Sequence, residues 1–290
     1  MSLRKTSKIL HFYYLISGLA LWLCAAGNSF AQETFYVHPT NTLNGAPGTD
    51  IGSCAAPDNN DLSDVLATTI ATDTGNGHTL VVCNSAAAAG VADYTETAFM
   101  NLRDAQFLNL TIQGETGTAG DIIIQGTSVA THADVFRIRR DGITIQDLRI
   151  QGGTNAIQIY ANGPDATVDN VEITSTDNDS ILIQGDGATI DNVLIIGSAT
   201  SNDGIQANAG ATNLTIQNST IRDTQADGIQ IVETGATINN VTIEDAGGDG
   251  IQLSAGGTNA DLDDITVQID DAVTSTGGDC INVLATGADI

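Results

Sequence analysis

The chain has 290 residues, with 35 acidic residues against nine basic ones and a formal net charge of −26. That balance disfavours nucleic acid and anionic membrane surfaces as partners, because both are held by basic clusters, and it favours solubility and counter-cations. A saline habitat would select such a surface whatever the function, so charge by itself names no activity.

Residues 1–31 carry Arg4, Lys5 and Lys8, an apolar run from Leu15 to Ala26, and then Ser29-Phe30-Ala31, with small residues at the two positions a signal peptidase reads. This is the pattern of a secretory signal peptide; it starts the mature chain at Gln32 and implies a secreted or cell-surface setting. The run is shorter than the ~20 residues of a membrane-spanning helix, and no span is expected in the mature chain. The mature chain has no lysine and six arginines against the 35 acids, a net of −29. Of the mature cysteines, Cys54 and Cys83 lie close together in the leader region and are the expected disulfide, whose loop would stabilise by about 3 kcal/mol. Cys280 lies six coils further on and reads as a small packing residue.

Residues 32–106 read as an N-terminal cap, since an open solenoid end would expose strand edges and apolar columns. Leu62, Val65, Leu66 and Ile70 recur at helical spacing behind Pro57 and predict a short amphipathic capping helix over 61–70. Strands are expected at 34–37 and 79–83, and residues 107–290 read as coils, irregular up to 140.

From Asp141 to Ala288 one pattern returns every 22 to 30 residues. Ile145, Val168, Ile190, Ile216, Ile238 and Leu262 each precede a polar pair ending in Asp147, Asn170, Asn192, Asn218, Asn240 and Asp264. A short apolar strand comes next, interrupted only by Ser219. After a variable loop comes another strand, opening at Asn155, Asp179, Asp203, Asp227, Asp249 and Asp279. Alternation at period two with many β-branched residues makes these strands with one buried face. Six such coils in register predict stacking about 4.8 Å apart into an all-β, right-handed parallel β-helix with one continuous aliphatic core. Asn and Asp in the turn column suit a left-handed backbone and can hydrogen-bond along the axis. Ala288-Asp289-Ile290 opens a further coil, so that either the natural protein continues or its last coil is bare.

On these columns the chain resembles the parallel β-helices of the pectate-lyase-like superfamily. That resemblance implies sugar binding on the outer face of the Asp-opened strand. Its outward row, Gln158, Gln206, Gln230, Gln252 and Asn282, is polar and uncharged: it can bind a polysaccharide or cell-surface glycan, or its amides can bond one another. Lyases of this kind use a Lys or Arg base, and the arginines here read as salt-bridge partners. Ser201-Asn202-Asp203-Gly204-Ile205 and Gly277-Gly278-Asp279-Cys280-Ile281 are similar to polygalacturonase-like motifs, but Gly278 replaces an Asp and no His follows His132. The expectation is therefore a non-catalytic adhesin-like or glycan-binding protein, with a polysaccharide lyase or hydrolase acting on acidic polysaccharide as the alternative. Asp203, Asp227 and Asp249 recur at one position, where each carboxylate either accepts N–H groups of its own loop or holds calcium. Outward Thr144, Thr167, Thr189, Thr215 and Thr237 form a further stripe of the sort that binds ice; Thr is equally a good strand residue.

Overall fold

A strand with alternate aliphatic residues has one face to bury, and a chain that repeats three such strands per turn buries them all by stacking turn on turn. The computed structural model, which describes residues 32–37, 62, 66, 70, 76–84, 94–96, 100–126, 134–268 and 278–290, has that form. Its strands make two sheets, of 13 and eight strands, among the described residues, and every pairing between them is parallel. In a regular coil the first strand (Thr144–Gln146) and second strand (Leu148–Gln151) belong to the larger sheet, and the third (Ile157–Ile159) to the smaller. No helix among the described residues is long and apolar enough to cross a membrane, which says nothing of a β-barrel.

The core is the stacked columns. Ile145, Val168, Ile190, Ile216 and Ile238 lie directly over one another and are fully buried, each contributing about 1.5–3 kcal/mol. Ser219 interrupts the neighbouring column without leaving an orphan: its Oγ accepts from Val193 N–H (3.1 Å) and donates to the Gln217 carbonyl (2.7 Å).

Between first and second strands the chain bends at a single residue. Asp147, Asn170, Asn192, Asn218, Asn240 and Asp264 all have φ between 50° and 60°, the conformation Asn and Asp adopt at least cost. Their amides bond up the axis as expected, Asn170 to Asp147 (2.7 Å), Asn192 to Asn170 (3.1 Å) and Asn240 to Asn218 (2.9 Å), with one break where Asn218 turns to Asp191 instead. A second left-handed column precedes the first strand: Asn109, Gly142, Asp165, Gly187, Asn213, Gly235, Asn259 and Gly287, all at positive φ and strictly alternating Asx with Gly. At three of the four glycines the reason is room. A Cβ on Gly142 or Gly187 would collide with the side-chain oxygen of Asn109 or Asp165 one coil before, and on Gly287 it would stand 2.9 Å from Asn259 Oδ1.

Thr34–Val37 and Thr79–Val82, within the region expected as a cap, are strands in register with Thr111–Gly114 of the same sheet. The stripe of outward threonines therefore starts earlier than the regular repeat: Thr34, Thr79 and Thr111 stack beneath Thr144, and the row runs to Thr237 before Asp261 ends it. The expected capping helix over 61–70 lies outside the described residues except for Leu62, Leu66 and Ile70, which are buried in the core. The expected signal peptide and Cys54 are likewise outside; Cys83 is fully buried. Cys280, expected as a packing residue, is exposed, as are Val283, Leu284 and Ile290 in the same coil.

Candidate functional site

The smaller sheet turns two parallel rows of side chains outward, two residues apart on each strand. The first runs Asn101, Arg137, Gln158, Leu182, Gln206, Gln230, Gln252 and Asn282, in the register expected. The second, absent from the sequence-based expectation, is defined by the backbone ladder that continues past each strand: Arg103, Arg139, Tyr160, Gln184, Asn208, Val232 and Ser254. None of these is buried. The signal was present in the sequence, two residues beyond each member of the first row.

The two halves of this face differ in what their polar groups are doing. In the C-terminal half they are consumed internally. Gln206 Nε2 donates to Gln230 Oε1 (3.0 Å) and Gln230 Nε2 to Gln252 Oε1 (2.9 Å), the amide ladder that was the alternative to glycan binding. Asn208 and Ser254 of the second row donate to Gln206 and Gln252. In the N-terminal half, by contrast, the side chains of Gln158, Gln184 and Tyr160 make no hydrogen bond with the described residues, and Leu182 interrupts the ladder.

Beneath the amides runs the Asp column, and it is internal. Asp179, Asp203, Asp227 and Asp249 are each buried, at 2 to 8% exposure. The N–H groups they accept come from the next coil and not from their own loop: Asp203 N–H to Asp179 (3.2 Å), Asp227 to Asp203 (2.9 Å), Asp249 to Asp227 (2.7 Å) and Asp279 to Asp249 (2.7 Å). For Asp203, Asp227 and Asp249 the second oxygen accepts from Gln206, Gln230 and Gln252 (3.1 to 3.4 Å), with Asn282 also on Asp249. Burial pushes Asp203 up to about 6, against the N–H of Asp227 and with help from the neighbouring carboxylates. Burial raises Asp179 and Asp227 as well, whereas for Asp249 it is outweighed by the donors on it, Asp279 N–H, Asn282 and Gln252, and the carboxyl lies low. As to calcium at Asp203, Asp227 and Asp249, no three His, Cys, Asp or Glu side chains converge to hold an ion among the described residues, and these oxygens already have donors.

The arginines divide in the same way. Arg137 pairs with Asp134 and Arg149 with Glu172, both at 2.7 Å, as the salt-bridge reading expected. Arg139 has no carboxylate partner among the described residues; its guanidinium lies 3.8 Å over the Tyr160 ring, a favourable cation–π contact. A separate groove of about 400 Å³ lies on the loops joining second to third strands, between Gly197, Ser198, Asp223, Gln225 and Asp245.

No curated protein matches the chain. Among solved structures it is similar to a crystal structure of pectate lyase Pel9A, 12% identical with a TM-score of 0.59 over 90% of this chain and 79% of that one. It is also similar to a crystal structure of alginate lyase from Paenibacillus sp. str. FPU-7, 15% identical with a TM-score of 0.54 over 78% of this chain and 92% of that one. Identities this low establish likeness of fold alone. The family described as right handed beta helix region matches residues 134–289, and the chain belongs to that family.

Proposed function

We propose that the chain is an exported, surface-associated protein that binds a glycan on the outer face of the smaller sheet and does not cut it. The observation that carries this is the cluster of unengaged polar groups around Tyr160, with Gln158 and Gln184 beside it on a parallel surface whose amides further along, Gln206, Gln230 and Gln252, are satisfied by one another. Free amides on either side of a ring whose one face is taken by the Arg139 guanidinium offer a sugar hydrogen bonds and a flat contact surface. The carboxylates nearest the face support binding over cleavage: they are buried, and the coil-to-coil ladder occupies their oxygens.

A hydrolase is the second reading. What favours it is Asp203, whose carboxyl near 6 has the proton affinity of a general acid. One pair of assays decides between them. Oligosaccharides are titrated into the full chain by calorimetry, and the same mixtures are assayed over days for new reducing ends and unsaturated products. The proposal expects saturable binding that Tyr160→Ala abolishes, with no product; product that disappears in Asp203→Asn would establish the hydrolase instead.

A further inference from the structure

We infer that the buried Asp column sets the direction of the amide ladder on this face, and that a proton taken up by Asp203 turns Gln206 out of the ladder while Gln230 and Gln252 stay in it. The device governs how many amides the face leaves free, and it does not depend on what the face binds.

An ionised carboxylate only accepts, whereas an amide donates at one end and accepts at the other. Each carboxylate therefore dictates which end of its glutamine faces it. Gln206, Gln230 and Gln252 turn Nε2 to Oδ2 of Asp203, Asp227 and Asp249 in their own coils (3.1, 3.4 and 3.2 Å). The remaining N–H of Gln206 and of Gln230 then reaches Oε1 of the next glutamine (3.0 and 2.9 Å), and Gln206 Oε1 accepts from Asn208 (3.0 Å). The ladder points its donors towards the C-terminal coils because of the charge beneath it.

A proton on Asp203 has one place to go. Oδ1 accepts the backbone N–H of Asp227 (2.9 Å), which the stacking of the coils holds fixed, so Oδ2 takes the proton and becomes a donor facing the donor Nε2 of Gln206. A half-turn of the amide about its last side-chain torsion relieves this, with Oε1 now accepting from Asp203. The turned oxygen meets Gln230 Oε1, acceptor against acceptor, and the bond between the two rungs is lost. Gln230 cannot turn to restore it, because it would meet Gln252 in the same way. Gln252 is held by Asp249, which also accepts from Asp279 N–H (2.7 Å) and Asn282 (2.8 Å); although burial raises its carboxyl, these donors bring it low.

Position in the ladder selects Asp203. Asp179 lies in the coil of Leu182, which has no amide to turn, and Asp227 would have to turn Gln230 against a neighbour on each side. Gln206 is the end rung and has one such neighbour. Among the described residues the charged groups acting on Asp203 are Asp179 from the coil before and Asp227 from the coil after. No lysine, arginine or histidine lies between residues 150 and 221, and the flanking Arg149 and Arg222 pair with Glu172 and Asp223. Burial, against the Asp227 N–H and with those two carboxylates, holds Asp203 up to about 6. Below that pH, Gln206 and Asn208 join Gln184 and Gln158 as free amides.

The test follows side-chain amide and carboxyl signals of the isotope-labelled full chain by NMR from about pH 8 to about pH 4.5. The Gln206 amide and the Asp203 carboxyl carbon are expected to titrate together, the ratio of the two Gln206 forms changing about tenfold per pH unit. Contacts between the Gln206 amide protons and the Gln230 side chain should be lost in acid, and those between Gln230 and Gln252 should persist. Asp203→Asn presents an acceptor to the Asp227 N–H and a donor to Gln206, so Gln206 should show its acid-form signal at neutral pH and no longer titrate. Gln206→Leu, which copies Leu182 of the coil before, keeps the inference testable if Asp203→Asn fails to fold: without its amide donor Asp203 should titrate at higher pH than in the parent. Asp203 titrating while Gln206 stays bonded to Gln230 would overturn the inference, as would an Asp203 that stays ionised throughout or one whose midpoint is unmoved in Gln206→Leu. Loss of the Gln230 to Gln252 contacts together with those of Gln206 would also overturn it, as would a Gln206 titration that survives in Asp203→Asn.

Discussion

Gly187→Ala tests whether the alternating Asx and Gly column is a packing device between coils. The substitution carries two separable costs. At φ 68° an alanine is strained by about 1–2 kcal/mol, and its Cβ collides with Asp165 Oδ1 of the coil before, an overpacking cost of about 1–3 kcal/mol. The single variant should therefore lose about 2–5 kcal/mol in urea unfolding with an unchanged m-value. Asp165→Gly alone should lose about 1 kcal/mol, mostly chain entropy. In the double variant the collision is gone while the strain and the chain-entropy cost remain, so the combined loss should fall short of the sum of the single losses by about 1–3 kcal/mol, the cost of the collision. Additivity within about 0.5 kcal/mol, the expectation for independent sites, would refute the reasoning.

Three further outcomes concern the buried carboxylates and the cysteines. Because burial holds Asp203 up to about 6 against roughly 3.8 for an exposed Asp, the folded chain carries the extra proton between those values. Stability should therefore rise by about 1–3 kcal/mol as pH falls from 7 to 4.5 and be lost as pH climbs back through 6; Asp203→Asn should remove that increment, and an unaltered pH profile in thermal melts would count against it. Calcium at Asp203, Asp227 and Asp249 is tested by melting against magnesium and against sodium at matched ionic strength: a calcium-specific shift lost in Asp227→Asn would establish a metal site there, and equal shifts would leave the column to the hydrogen bonds its oxygens already accept. The Cys54–Cys83 bond should appear as a linked peptide on non-reducing digestion while exposed Cys280 is alkylated in the folded chain; alkylation of Cys83 without reductant would contradict the pairing.

How much of this was legible in the sequence depended on whether a column keeps its chemistry from coil to coil. The aliphatic and Asn/Asp turn columns do, so fold and register could be read directly. The Asx/Gly column repeats every second coil, and to a one-coil period it looks like loop variation. Thr34, Thr79 and Thr111 were hidden by the uneven spacing of the early coils. The second outward row changes residue type at each step, Arg139, Tyr160, Gln184, Asn208, Val232, so that no column drew attention to Tyr160, the centre of the proposed site. Which amides are free was not legible at all: Gln158 and Gln206 occupy the same column, and only the spatial partner, Gln230 above Gln206 against Leu182 above Gln158, separates a free amide from a ladder rung.

The side-chain amide resonances of the full chain, followed by NMR during titration with a binding oligosaccharide, test the location of the site most directly. Gln158 and Gln184 are predicted to shift with saturation, while Gln230 in the ladder and Asn170 and Asn192 in the turn column stay in place. Saturating shifts at Gln230 or in the turn column, with Gln158 and Gln184 unmoved, would contradict the account.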